Sequence, residues 1–313
     1  MGATGVSQVT IRKNNVTQGD DVFTIRAYHC STRGLILGRT PVGRAVDRGN
    51  WAPPDVDIDQ PSIARVYDYF LGGSHNFASD RAFADRVTAV MPEIRLVLQH
   101  NRAFVRRAVR FLLRQGIRQF VDLGSGIPTV GNVHEIAHSV DPRAMVVYVD
   151  TDPVAVAHSR ALLADVPRAI MIAADLTQPA RVLAEPELLR LVDLGQPVGV
   201  LLNSVLHFVP DAARAASIVS DFHQAVPAGS YVSITHAGAD PQRERLRRTE
   251  VLYNQFLAEM VMRSREQITE LFGTLSIVEP GVVQLPLWRP DSPEDVGPDA
   301  TRFPGFGGVG RVE

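Results

Sequence analysis

The stretch Val121-Asp122-Leu123-Gly124-Ser125-Gly126-Ile127-Pro128-Thr129 decides how this chain reads. The apolar run Gln119–Leu123 suits a buried strand, Gly-x-Gly a tight turn, and the residues near 131–140 a helix. Glycine lets the backbone turn sharply and touch a ligand with no Cβ in the way. Strand, Gly-x-Gly and helix in that order mark a nucleotide site. Thr129 stands where a dinucleotide fingerprint has its third glycine, which argues against NAD. Alone the turn is a weak signal, because a structural turn uses the same glycines.

The next strand ends strengthen it. Met145–Asp150 runs into Thr151-Asp152-Pro153, and Asp150 lies 24 residues after Gly126. That is close to the spacing of a carboxylate that grips a ribose diol, although capping the next helix is the plainer role. Ala169–Ala173 runs into Ala174-Asp175-Leu176-Thr177, where an acid can accept from an adenine amino group and the Leu176 N–H can donate to a ring nitrogen. A further strand over 198–203 ends in Asn203, Ser204 and His207, polar breaks in an apolar segment. Ligands of open α/β sheets bind at this carboxyl edge.

Outward from these loops the chain alternates. Further strands are expected at 231–235 and 275–278, and helices near 153–164, 179–192, 211–225 and 242–272. Such alternation implies a mostly parallel sheet covered on both faces. Upstream, residues 61–71 keep helical spacing through Ile63, Val66, Tyr67, Phe70 and Leu71 and stop at Gly72-Gly73. A helix capped by Ser79 or Asp80 follows, then a long amphipathic helix over 93–115 with Arg106, Arg110 and Arg114 on its wet face. Asn101 falls inside its apolar stripe, with Arg102 beside it, so the pair needs partners. Residues 1–50 carry seven basic against three acidic residues without periodicity and read as a loosely ordered leader, with a natural start near Val42 or Val46 as a second reading.

Composition sets the outer limits. The 313 residues are 45% hydrophobic and 21% charged, with net charge −2. That describes a globular chain with no general pull toward nucleic acid or anionic lipid. Its most extended apolar run, 198–209, is too short and too polar to span a membrane. Cys30 is the only cysteine, which excludes an internal disulfide and a cysteine-rich metal site and suits a cytoplasmic setting. Lys13 is the only lysine among 32 basic residues, a bias expected of a high-GC bacterial source. Arginine clusters therefore carry no nucleic-acid signal.

Taken in order, Asp-Leu-Gly-Ser-Gly, Val-Asp-x-Asp-Pro, Ala-Asp-Leu and Asn-Ser-Val-Leu-His resemble the class I S-adenosylmethionine-dependent methyltransferases. The chain is most similar to a bacterial subgroup of unknown substrate, through Ala64-Arg65-Val66-Tyr67-Asp68-Tyr69-Phe70-Leu71-Gly72-Gly73 with Asn76 and Asp80, and through Asn101-Arg102-Ala103-Phe104. Glu279-Pro280-Gly281-Val282, Trp288-Arg289-Pro290 and Gly308-Val309-Gly310-Arg311 add to it, so the resemblance covers residue 51 to the end.

The resemblance implies a Rossmann-like α/β fold. Its sheet would have seven strands in the order 3-2-1-4-5-7-6, strand 7 antiparallel, with helices on both faces and an N-terminal helical extension. It implies S-adenosyl-L-methionine as cofactor. Gly124 and Gly126 would border the methionine part, Arg102 its carboxylate, Asp150 the ribose, and Asp175 with Leu176 the adenine. Asp122, Ser125, Thr151, Asn203, Ser204, Tyr69 and Asn76 complete the expected cofactor set. The partner would be a small-molecule methyl acceptor. His207 is the candidate base, His236 the second, and no metal is needed. Residues 61–92 and 238–265 would roof the acceptor. An NAD(P)-dependent oxidoreductase and a non-catalytic binder of the same cofactor are the rival readings.

Overall fold

A computed structural model describes residues 53–313 except 55, 129–130, 240–243 and 299; the expected leader at 1–50 lies outside the described residues. Three helices come first: α1 (Ile63–Phe70), α2 (Ala78–Val90) and α3 (Ile94–Arg114). Gly72, at φ +85°, ends the first as expected. The second starts earlier than Ser79 or Asp80. Phe77 is its N-cap residue, and Asp80, one turn in, accepts the Phe77 N–H at 2.7 Å. Asp80 also receives the buried Arg65 guanidinium at 2.9 Å, which ties α1 to α2.

The alternating part follows as β1 (Gln119–Leu123), α4 (Val133–Val140), β2 (Met145–Asp150), α5 (Pro153–Leu162), β3 (Ala169–Ala173), α6 (Pro179–Leu183), α7 (Pro186–Leu191), β4 (Gly199–Asn203), α8 (Ala212–Gln224) and β5 (Tyr231–Ala237). It closes with α9 (Glu244–Phe256), α10 (Arg265–Glu270), β6 (Ser276–Ile277), β7 (Val283–Gln284) and β8 (Gly305–Arg311). Two expected helices are each split. Proline has no N–H to donate, so Pro186 begins a new helix rather than continuing the stretch over 179–192. The stretch over 242–272 breaks between α9 and α10, where Ser264 and Gln267 form the reciprocal cap that this pair in the sequence leads one to expect.

The sheet order is β3-β2-β1-β4-β5-β8-β6. Neighbours from β3 to β5 run parallel, and β8 is antiparallel to β5 and β6. This is the expected topology with one addition, since the two-residue β7 also pairs with β8. Register aligns the strand ends: Asp122 lies opposite Tyr148 and Leu201, Asp150 opposite Ala173, and Asn203 opposite Thr235. The polar residues of four loops thus emerge along one edge.

Two apolar cores pack against the sheet, one holding Val121, Leu123 and Leu202, the other Phe104, Phe120 and Leu201. Each such fully buried side chain contributes roughly 1.5–3 kcal/mol of transfer free energy. Buried Arg107 donates to the Trp288 and Leu285 carbonyls at 2.8 and 2.6 Å, joining α3 to the C-terminal segment. A third cluster, with Val66, Phe70, Phe83, Val87, Ile94 and Leu246, joins α1, α2 and the start of α3 to α9. It forms a helical cap. Among the described residues, no helix is long and apolar enough to cross a membrane.

Candidate active site

The Gly-x-Gly loop is fixed from two sides. Gly124 and Ser125 both donate to the Val149 carbonyl, at 2.7 and 3.1 Å. Gly124 has φ +68°, and a Cβ there would stand 2.3 Å from Val205 Cγ1. Only glycine satisfies both conditions. At the end of β4, Ser204 adopts φ +60°, a left-handed conformation that non-glycine residues hold only where surroundings enforce it. Its N–H donates to the Thr235 carbonyl at 3.1 Å.

These loops bound a cleft with about 1210 Å³ of empty space, counting its open side. Of the residues predicted for the cofactor, Arg102, Asp122, Gly124, Ser125, Gly126, Asp150, Thr151, Asp175, Leu176, Asn203 and Ser204 all line it. Tyr69 and Asn76 do not line it. The Tyr69 ring lies 5.2 Å under the Arg95 guanidinium, and the Asn76 amide is spent on Asp68 and the Gly73 carbonyl at 3.0 and 2.9 Å. The tyrosine of α1 that reaches the cleft is Tyr67, beside Ile63 and Ala64. The sequence hid it, because Tyr67 shares the helical face of Ile63 and Phe70 and reads as core.

Electrostatics at the cleft follow from burial. Asp150 accepts the Gly126 N–H at 2.7 Å through one oxygen and the Asp152 N–H at 2.9 Å through the other, so it braces the loop. A carboxylate has about four acceptor positions, so room for further donors remains. Burial pushes the Asp122 carboxyl up to about 7, opposed by Arg102 and reinforced by Asp150. Asp175 accepts the Thr177 N–H at 2.8 Å in a local turn. Arg102 donates one Nη to the Gly131 carbonyl at 2.7 Å, while its buried Nε has no partner. Ser125 Oγ and Asn203 Nδ2 are likewise buried and unpartnered. Three orphaned polar atoms in one cleft fit a polar ligand, because leaving each unmet costs about 1–3 kcal/mol.

A second cavity adjoins the first. It has about 790 Å³ of empty space, counting its open side, and shares Ile63, Tyr67, Asn101, Ser204 and Phe208 with the cleft. Its other walls come from the cap and the end of β5, including Phe70, Met91, Leu98, Tyr253, Met260 and Met262. A polar seam crosses the junction. Ser204 Oγ lies 3.3 Å from Thr235 Oγ1, Thr235 donates to Asn101 Oδ1 at 2.7 Å, and Asn101 Nδ2 donates to Tyr67 Oη at 3.0 Å. These contacts answer the question Asn101 raised within its apolar stripe.

His207 and His236 also line this chamber. Burial, then His236 and Arg263, hold the His207 imidazole well below its usual value, and its buried Nδ1 has no partner. His236 is not free to act as the second base. Arg263 Nη1 points at its Nε2 from 2.8 Å, and a guanidinium only donates, so Nε2 accepts. Nδ1 then carries the proton and donates to the Ala237 carbonyl at 2.8 Å. Sequence gave no hint of Arg263, which lies in the break between α9 and α10. Among the described residues there is no cluster of His, Cys, Asp or Glu able to hold a metal.

The sequence matches the S-adenosyl methyltransferase family over residues 49–313. A crystal structure of a candidate methyltransferase from Thermobifida fusca is similar, at 40% identity and TM-score 0.80, over 84% of this chain and 99% of that one. A DUF574 family protein from Streptomyces avermitilis is similar at 36% identity and TM-score 0.78, over 82% and 99%. No curated protein matches the sequence. With that family match over the whole described domain, the chain belongs to the S-adenosyl methyltransferases, enzymes that use S-adenosyl-L-methionine.

Proposed function

We propose that the enzyme methylates an oxygen or nitrogen of a small molecule seated in the apolar chamber. The observation that carries this is the shared wall, since the chamber meets the cleft across Ile63, Tyr67, Asn101, Ser204 and Phe208. Bound S-adenosylmethionine supplies a methyl group already activated on a sulfonium. The protein's task is then alignment and exclusion of water.

Each cleft residue has a role in that arrangement. The Arg102 guanidinium, with Nε unspent, holds the methionine carboxylate, for which its planar fork is suited. Asp122, Ser125 and Asn203 offer polar partners to the same end of the cofactor. Asp150 accepts from the ribose hydroxyls, with Thr151 beside it. Asp175 and the Leu176 N–H read the adenine edge. The cap over 61–92 and the described part of 238–265 roof the acceptor. His207 is neutral near pH 7 and can take the proton that a hydroxyl or amine gives up.

The reading is tested by titrating S-adenosylhomocysteine into wild-type protein and Arg102→Leu in a calorimeter. Wild type should bind and the variant bind more weakly. Failure of folded wild type to bind would sink the reading, and unchanged affinity in the variant would remove the carboxylate role.

A further inference from the structure

The chamber's described lining contains no Asp, Glu, Lys or Arg. Its two histidines add no charge near neutral pH, since His236 is pushed down to about 4 and His207 lies well below its usual value. An ammonium there would meet no carboxylate, and a carboxylate would find only Arg263, already spent on His236 and on the Leu206, Val209 and Pro210 carbonyls, so burying either ion is costly. Phe70, Phe208 and Tyr253 with Met91, Met260 and Met262 present aromatic faces and polarisable sulfur. Such walls favour a flat ring system.

Hydrogen-bond direction narrows the reacting group. Thr235 spends its proton on Asn101, so Ser204 donates to Thr235. Tyr67 Oη accepts from Asn101 and keeps its own proton, at the junction of the two cavities. His207 Nδ1 is unspent on the same chamber. With His207 as the Nε2–H tautomer, so that Nδ1 accepts, a group that meets both must accept one hydrogen bond from Tyr67 and donate another to His207. A carboxylate has no proton to give, and an ammonium has no lone pair to offer.

We infer that the acceptor is an uncharged, ring-bearing apolar molecule presenting a phenol-type hydroxyl between Tyr67 and His207. The inference rests on the methyl-transfer reading of the same site. A phenol, with pKa about 10, yields its proton to a weakly basic imidazole far more readily than an aliphatic alcohol does. The acceptor oxygen bonds the methyl carbon as the carbon–sulfur bond breaks. Its proton passes to His207 and on to water, and the sulfonium leaves as a neutral thioether.

The test is calorimetry on S-adenosylhomocysteine-loaded protein with naphthol, naphthalene, naphthoate and naphthylmethylammonium as probes. Naphthol should bind at least about tenfold tighter than either ion and several-fold tighter than naphthalene, which leaves both polar groups unmet. Val97→Trp fills the chamber from a residue that does not line the cleft. It should abolish naphthol binding and spare S-adenosylhomocysteine. With S-adenosylmethionine, mass spectrometry should detect methoxynaphthalene. Equal or tighter binding of an ion, or naphthol binding that survives Val97→Trp, overturns the inference. S-adenosylhomocysteine binding without naphthol binding removes the acceptor class alone. Loss of both removes the methyl-transfer reading beneath it.

Discussion

The cleft and the chamber share a wall and are built by opposite means. The cleft is made of strand ends and the loops that leave them, and its polar atoms include three with no partner. The chamber is assembled from α1, α3, α9, the segment around Met260 and the end of β5, and it is mostly apolar. Strand-end chemistry is local, so a few consecutive residues carry a whole contact. Cap chemistry is distributed, so each residue reads as ordinary core until the helices are packed together. A strand-end cleft can therefore be recognised from sequence where a chamber of this kind cannot.

The sharpest way to separate the halves is His207→Ala. If His207 takes the acceptor's proton, single-turnover rates should fall by about 10²–10⁴, while calorimetric affinity for S-adenosylhomocysteine stays at the wild-type value. The pH profile supplies the sign. A depressed imidazole stays neutral down to well below its usual value, so the base limb of the rate lies on the acid side. A normal rate per folded molecule would reduce the chamber to positioning alone.

On the cleft side, Asp122 carries the next largest effect. Its folded value, raised from 3.8 to about 7, means that the native state holds a proton the unfolded chain has lost across that window. Stability should therefore fall as pH rises from about 4 to 7, with a limiting slope of about 1.4 kcal/mol per unit, and level off above. Asp122→Asn should flatten that slope in urea titrations across the pH range. An unchanged slope would show that Asp122 ionises freely. Asp150→Ala should weaken S-adenosylhomocysteine by roughly 1.5–3 kcal/mol, the worth of hydrogen bonds to a charged group. It also releases the Gly126 N–H, so hydrogen exchange in the Gly-x-Gly loop should accelerate. Intact affinity with an intact fold would remove the ribose role.

Legibility divides along the same line. The first three strands, the loop glycines and Asp150 and Asp175 could be read because alternation of strand and helix, and polar residues at strand ends, are short-range patterns. Apolar spacing alone does not mark the split at Pro186, whereas Ser264 with Gln267 reads in the sequence as a capping box that starts a new helix, as α10 shows. Tyr69 is expected at the cofactor yet lies outside the cleft, because residue spacing does not say which face of α1 turns toward it. Arg263 was invisible for another reason. It acts through backbone carbonyls of Leu206, Val209 and Pro210, which no side-chain pattern records.

The smallest expected effect lies where the cap meets its support. Arg245 on α9 stands 2.9 Å from Glu93, the residue just before α3, and the two side chains are 47% and 26% exposed. The contact is a charge pair without an aligned hydrogen bond to the Glu93 oxygen. Pairs this exposed contribute about 0–1 kcal/mol, because water screens them and ordering two long side chains costs entropy. The cap itself is held by Phe83, Val87, Ile94 and Leu246, whose burial outweighs one surface pair. Arg245→Ala should therefore lower the urea midpoint slightly and leave S-adenosylhomocysteine affinity unchanged. The same variant should bind naphthol as wild type does, since Arg245 does not line the chamber. A large loss of acceptor binding with stability preserved would mean that the pair, and not the apolar contact, sets how the cap closes. The chamber would then be an electrostatically held structure, and the contrast with the cleft would have to be redrawn.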